Sequence, residues 1–138
     1  LSAARAGDWL AAEGWPPERR AIVTHAIEAH SFSAGIAPKT PEARALQDAD
    51  RLEALGAIGL ARMFAVSGAL GRALFHPDDP LAEGRALDDK AYALDHLEVK
   101  LFRLADTMQT VEGRRIAAER TVFLRQFRDQ MLREISGF

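Results

Sequence analysis

Residues 47 to 59 read Gln47-Asp48-Ala49-Asp50-Arg51-Leu52-Glu53-Ala54-Leu55-Gly56-Ala57-Ile58-Gly59. Ala, Leu, Arg and Glu are good helix formers, and no run of β-branched or aromatic residues interrupts them, so the stretch predicts helix. Two carboxylates in such a segment are chemically unusual. Successive helical residues lie about 100° apart, so Asp48 and Asp50 cannot share one direction and at most one points fully into a core. A buried carboxylate requires a cation, a metal or several donors. From spacing alone, a structural Asp-Arg pair is the simpler reading than a metal ligand.

Upstream of this stretch, Thr40 followed by Pro41 and Glu42 marks a helix start: a hydroxyl cap, a proline at the first helical position and a carboxylate favourable to the dipole. The helix is predicted to continue to about Leu74, with Leu46, Leu52, Leu55, Ile58, Leu60 and Phe64 apolar and with Gly56 and Gly59 allowing close backbone approach. Residues 2 to 13 predict a first helix stopped at Gly14. Pro16 and Pro17 open a second, running to about His30, with Ile22, Ala26 and Ala29 at apolar spacing. The Ser, Gly and Pro content of residues 31 to 39 predicts a loop, and so does the composition of His76 to Leu87. Asp88 or Asp89 is expected to cap a fourth helix through Thr107, and Thr110 a fifth through Ile135 before Gly137. The fold class is therefore all-α, a compact helical domain of about five main helices. Arg114, Arg115, Arg120, Arg125 and Arg128, interleaved with Glu119 and Asp129, read as a solvated helix face rather than a nucleic-acid surface.

At 138 residues the chain fits one domain, and 48% hydrophobic with 28% charged residues is a globular balance. Cysteine is absent. That excludes disulfides, thiolate metal sites and cysteine nucleophiles, and fits a reducing, cytoplasmic compartment. A net charge of −2 gives no global pull toward nucleic acid or anionic lipid. Arg51, Glu53, Arg62 and Arg72 punctuate the most apolar stretch, so no run approaches the ~20 residues of a membrane span. The chain opens on Leu1 and not on methionine, so its start reads as internal.

A second polar cluster is His25-Ala26-Ile27-Glu28-Ala29-His30-Ser31-Phe32-Ser33. Five-residue spacing sets the two histidines about 140° apart on a helix, poorer for joint chelation than the i, i+4 spacing of zinc-binding helices. One histidine in a core hydrogen bond and the other exposed is the plain reading.

Taken together, the segments Ala26 to Ser33 and Gln47 to Gly59 resemble a bacterial branch of the His-Asp (HD) domain phosphohydrolases. The resemblance continues through Leu94-Asp95-His96-Leu97-Glu98-Val99-Lys100-Leu101 and Met108-Gln109-Thr110, and so covers most of the chain. It implies a helical domain in which a histidine, a His-Asp pair and a distant aspartate hold a divalent metal, manganese, magnesium or another transition ion. The aspartate before Arg-Leu in that pattern falls on Asp50, leaving Asp48 on a neighbouring face. No His-Asp dipeptide occurs in the chain, since His76 precedes Pro77 and Asp95-His96 has the reverse order. The missing ligands are expected upstream of Leu1, which would make this chain the C-terminal larger part of the domain and inactive alone.

The resemblance makes His30 a candidate for metal, bound water or substrate phosphate, in one pocket with Asp50, and His25 a weaker candidate. Arg51 adjoins the expected ligand, yet it could equally anchor Asp48 or Glu53. His96 and Lys100, at i and i+4, could present one cationic patch to phosphate, an exposed helical face being the alternative. The implied function is metal-dependent hydrolysis of phosphate esters or anhydrides, with nucleotides as substrates. The alternative is a catalytically silent helical module for partner binding or dimerisation through the Gly56/Gly59 surface, and homo-oligomerisation stays open.

Overall fold

The computed structural model describes residues 1 to 31 and 34 to 137; Phe32, Ser33 and Phe138, the first two belonging to the family-like pattern, lie outside the described residues. The described residues are helical, with one isolated bridge between Ala73 and Tyr92 in place of any strand. None of the single helices is long and apolar enough to cross a bilayer. The chain divides into two compact units, one formed by Leu1–Arg51 with Met108–Gly113, the other by Leu52–Thr107 with the chain from Arg114 onward.

The first unit contains α1 (Ser2–Ala12), α2 (Pro17–Ala29) and most of α3 (Pro41–Leu52). Gly14 takes a φ of 76°, the left-handed conformation that stops α1, and Pro17 occupies the first position of α2. Gly7 lets α1 approach α2 closely, because a Cβ there would meet Thr24 Cγ2 at 3.1 Å. Ala26, Ala29 and Ala43 form a buried cluster whose small side chains bring α2 and α3 together. Thr40 caps α3 as expected, its Oγ1 accepting the Ala43 N–H at 3.2 Å.

The second unit overturns two helix boundaries. The helix expected from Thr40 to Leu74 ends at Leu52, and a separate α4 (Gly56–Ala69) follows after a turn at residues 53 to 55. Gly56 adopts a φ of 74°, and a Cβ on Gly59 would collide with the Ala54 backbone. The two glycines thus permit a turn that helix propensity alone would not reveal.

The fourth helix does not begin at Asp88 or Asp89. Asp88 Oδ1 accepts the Lys90 and Ala91 N–H groups at 3.0 and 3.1 Å, a local turn, and the following backbone pairs with the segment after α4. Ala93 N–H donates to the Ala73 carbonyl and Leu94 N–H to that of Leu74, both at 2.9 Å. Helix resumes only at Asp95 and His96, runs into a π-helical turn at Leu97–Leu101, and is followed by α5 (Phe102–Leu104) and a 3-10 turn at Ala105–Thr107.

The last helix, α6 (Val111–Ser136), is capped by Thr110, whose Oγ1 accepts the Gly113 N–H at 2.9 Å. Its arginines are not all a solvated face. Arg125 and Arg128 stack over the Phe102 ring, with guanidinium carbons 4.4 and 5.3 Å from its centroid, and Arg128 also pairs with Glu98 at 2.6 Å. The Arg115–Glu119 pair is the exposed i, i+4 kind. The second unit's core is built on Leu55, Leu60, Leu94, Leu97, Leu101, Leu104 and Leu124, all buried.

Candidate functional sites

The two aspartates of α3 have separate environments. Asp48 is buried, and its carboxylate accepts three hydrogen bonds: from Gln109 N–H and Thr110 N–H at 2.8 Å each, and from the Thr110 hydroxyl at 2.7 Å. It thereby satisfies donors at the start of α6, where a negative charge also suits the helix dipole. Gly113 must lack a side chain, since a Cβ there would collide with this carboxylate. The structural Asp-Arg reading is only partly right: Asp48's hydrogen-bond donors are backbone and hydroxyl groups, and its charge acts on Arg51 through space. Asp50 is exposed on α3.

Arg51 lines a cavity of about 300 Å³ in the same unit, together with Gln47 on α3, the loop residues Gly35 to Pro38, Ser31 and Gln109. Burial lowers the Arg51 pKa from its ordinary value, against the opposing pull of the Asp48 and Asp50 carboxylates, and the guanidinium stays charged. Neither His30 nor Asp50 is part of that lining, although their neighbours Ser31 and Arg51 are. The His30 ring donates from Nδ1 to the Ile27 carbonyl at 2.6 Å, an interaction within its own helix end. His25 accepts the Lys39 N–H on Nε2 at 2.9 Å, tying α2 to the chain that leads into α3.

In the second unit a cavity of about 280 Å³ brings together Arg62, Ser67, Arg72, His96 and Lys100, and no carboxylate lines it. Arg72 reaches it through the end of α4: Gly71 takes a φ of 68°, Gly71 N–H donates to the Gly68 carbonyl, and Arg72 N–H returns to the Ser67 carbonyl at 2.9 Å. His96 precedes the π-helical turn that carries Lys100, a distortion frequent at functional sites. The His96 Nδ1–H donates to Asp89 at 2.9 Å, which fixes the ring and leaves Nε2 as its second polar atom. Ser67 is 1% exposed, and its Oγ has no hydrogen-bond partner. Arg62 reaches Glu53 at 3.7 Å with both side chains exposed, a contact that holds little energy. The result is a cationic pocket with an unsatisfied hydroxyl in its wall.

The expected pairing of His96 with Lys100 is therefore present in one cavity. Arg62, Arg72 and Ser67 are its unexpected members. The two arginines are legible in the sequence only as interruptions of an apolar stretch.

The metal implied by the family-like pattern can be tested against these residues. Among the described residues, no three of His, Asp and Glu come close enough to hold an ion. Asp50 can offer one carboxylate, but the described residues do not by themselves fit a divalent metal.

No family model matches the chain. An uncharacterised protein of Bacillus subtilis, YpgQ, is 38% identical over 141 residues, a match that spans 99% of this chain and 63% of YpgQ. The YpgQ crystal structure has a TM-score of 0.78 at 35% identity, covering 99% of this chain and 66% of that one. An HD-superfamily hydrolase from Bacillus thuringiensis has a TM-score of 0.78 at 33% identity, covering all of this chain and 64% of its own. The chain is a YpgQ relative with an HD-like fold. It spans just under two thirds of the length of these relatives. YpgQ has also been crystallised in complex with ADP, and that structure has a TM-score of 0.75 to this chain.

Proposed function

We propose that the full-length protein is a divalent-metal-dependent phosphohydrolase acting on nucleotides, to which this chain contributes a phosphate-binding cavity and one metal ligand, Asp50. The cationic cavity of the second unit carries the reading. Arg62, Arg72 and Lys100 offer a concentration of positive charge with no competing carboxylate in the lining, and guanidinium groups match phosphate oxygens in a bidentate fork. Ser67 adds a buried hydroxyl that lacks a partner. His96, oriented by Asp89, presents Nε2 as an acceptor when neutral and as a further donor to phosphate when protonated.

The HD-superfamily hydrolase relative supports hydrolysis, and the ADP complex of YpgQ supports a nucleotide. Manganese and magnesium are the metals to test first. His30 is kept as a candidate for phosphate or bound water on the strength of the family-like pattern alone.

The test is phosphate or pyrophosphate release from a nucleotide panel by the full-length protein, with manganese or magnesium and then with a chelator. Expected are turnover with metal and its loss on chelation, together with a raised KM in Arg72→Gln and Lys100→Gln. A full-length protein that binds metal yet hydrolyses none of the panel would favour the silent helical module instead.

A further inference from the structure

The cavity of the first unit contains a polar group that nothing so far explains. Gln47 is 2% exposed, and its Nε2 donates to the Ala29 carbonyl at 2.7 Å. That bond fixes the orientation of the amide, because a carbonyl can only receive the NH2 end. The other end, Oε1, is then an acceptor, buried and without a hydrogen-bond partner. Gln47 lines a cavity of about 300 Å³, far more than the roughly 30 Å³ that one water occupies. Arg51 lines the same cavity from i+4 on the same helix, so its side chain neighbours that of Gln47.

An acceptor beside a guanidinium restricts what can bind. A phosphate could accept from Arg51 but would turn its oxygens toward the lone pairs of Gln47 Oε1, and an apolar group would leave Oε1 still unsatisfied. The complementary ligand offers an N–H to Gln47 and, on an adjacent atom, an acceptor to Arg51. Every nucleobase has such an edge: an amino group beside a ring nitrogen in adenine and cytosine, a ring N–H beside a carbonyl in guanine, thymine and uracil.

We infer that Gln47 and Arg51 form a nucleobase-edge site in the first unit, with Gln47 Oε1 accepting from the base and the Arg51 guanidinium donating to it. The choice of a base among planar donor–acceptor ligands rests on the nucleotide reading given above. Because all the bases carry the required pair, the site orients the base and discriminates weakly among them. What it separates is a nucleotide from a phosphate chain that has no base.

Adenosine, which has the base and no phosphate, is the probe, titrated into the full-length protein by calorimetry with Gln47→Met and Arg51→Met compared. Each variant is expected to lose about tenfold in adenosine affinity, while inorganic tripolyphosphate binds all three proteins equally. In the unmodified protein the Gln47 side-chain amide resonance should shift on adding adenosine, a readout that does not depend on either variant folding. An unmoved Gln47 resonance overturns the inference, as does adenosine affinity unchanged in the folded variants or a parallel loss of tripolyphosphate binding. The two readings fail separately. Adenosine bound through Gln47 by a protein that hydrolyses no phosphate would leave this site standing and remove the phosphohydrolase, whereas turnover with an indifferent Gln47 would do the reverse.

Discussion

Replacing Asp48 by alanine should unfold this protein well below the temperature at which the Asp50→Ala variant unfolds. Asp48 loses three charge-assisted hydrogen bonds of 2.7 to 2.8 Å and leaves the N–H groups of Gln109 and Thr110 without their acceptor. A hydrogen bond to a charged partner contributes about 1.5–3 kcal/mol. The three share two oxygens and are not additive, so the expected loss is about 3–5 kcal/mol. For a chain of this size each kcal/mol shifts Tm by roughly 3–5 °C, which gives a fall of about 9–25 °C. Asp50, exposed on the same helix, should change stability by no more than about 0.5 kcal/mol when truncated. The assay is thermal and urea unfolding of both variants, with a chelator present so that ion binding does not enter the comparison. Equal destabilisation by the two substitutions, or a larger effect at Asp50, would refute the division of labour between them. Manganese titration of the same pair gives the converse test: affinity should be lost in Asp50→Ala and kept in whatever fraction of Asp48→Ala remains folded.

Asp95 is 1% exposed and accepts two hydrogen bonds from Arg85, at 2.6 and 2.8 Å, and one from the Asp88 N–H at 2.7 Å. Burial alone would raise its pKa, but the Arg85 and Asp88 bonds and the charges of Arg85 and His76 outweigh it and hold the carboxyl below its ordinary value. A depressed folded pKa contributes stability that is present above the ordinary carboxylate range and is lost as pH falls through the folded value. Asp95→Asn should therefore cost about 3 kcal/mol at pH 7 and flatten the stability curve below about pH 4, as urea unfolding across pH would show. Adding a methyl at Gly59 should destabilise by more than about 2 kcal/mol despite alanine's better helix propensity, because the Ala54 backbone occupies the space; a neutral result would mean that the turn at residues 53 to 55 yields easily. Arg72→Gln should raise the KM for nucleotides about tenfold and weaken its dependence on salt, measured by steady-state kinetics of the full-length protein from 50 to 300 mM salt, both being about the usual span. The 138-residue chain on its own should give a helical circular dichroism spectrum and negligible turnover, since the ligand proposed at Asp50 would be one of several that such a site needs.

Three helix starts can be read directly because their signals are local. Thr40 beside Pro41, Pro17 after Pro16, and Thr110 before Val111 each place a cap or a preset φ within one turn of the end they make. The two boundaries that local pattern misplaces have causes elsewhere in the chain. Glu53, Ala54 and Leu55 are good helix formers, and the chain turns there against their propensity because Gly59 admits the Ala54 backbone. Residues 88 to 94 carry helix-forming Lys, Ala and Leu, yet they pair with Ala73 and Leu74, a partner segment the local pattern cannot announce.

The same distinction governs the candidate sites. His96 with Lys100 can be anticipated, since one helical turn joins them, and Asp50 is marked by a family-like pattern. Arg62 and Arg72 gain meaning only when the end of α4 folds Arg72 back through Gly71 into the cavity of His96 and Lys100. Gln47 is less legible still, because its chemistry depends on which end of one amide meets the Ala29 carbonyl. In sequence it looks like an ordinary polar residue at a helix position. Once its NH2 group is held, the remaining oxygen is a buried acceptor that the protein leaves unmatched, and a group of that kind either weakens the fold or awaits a donor from a ligand.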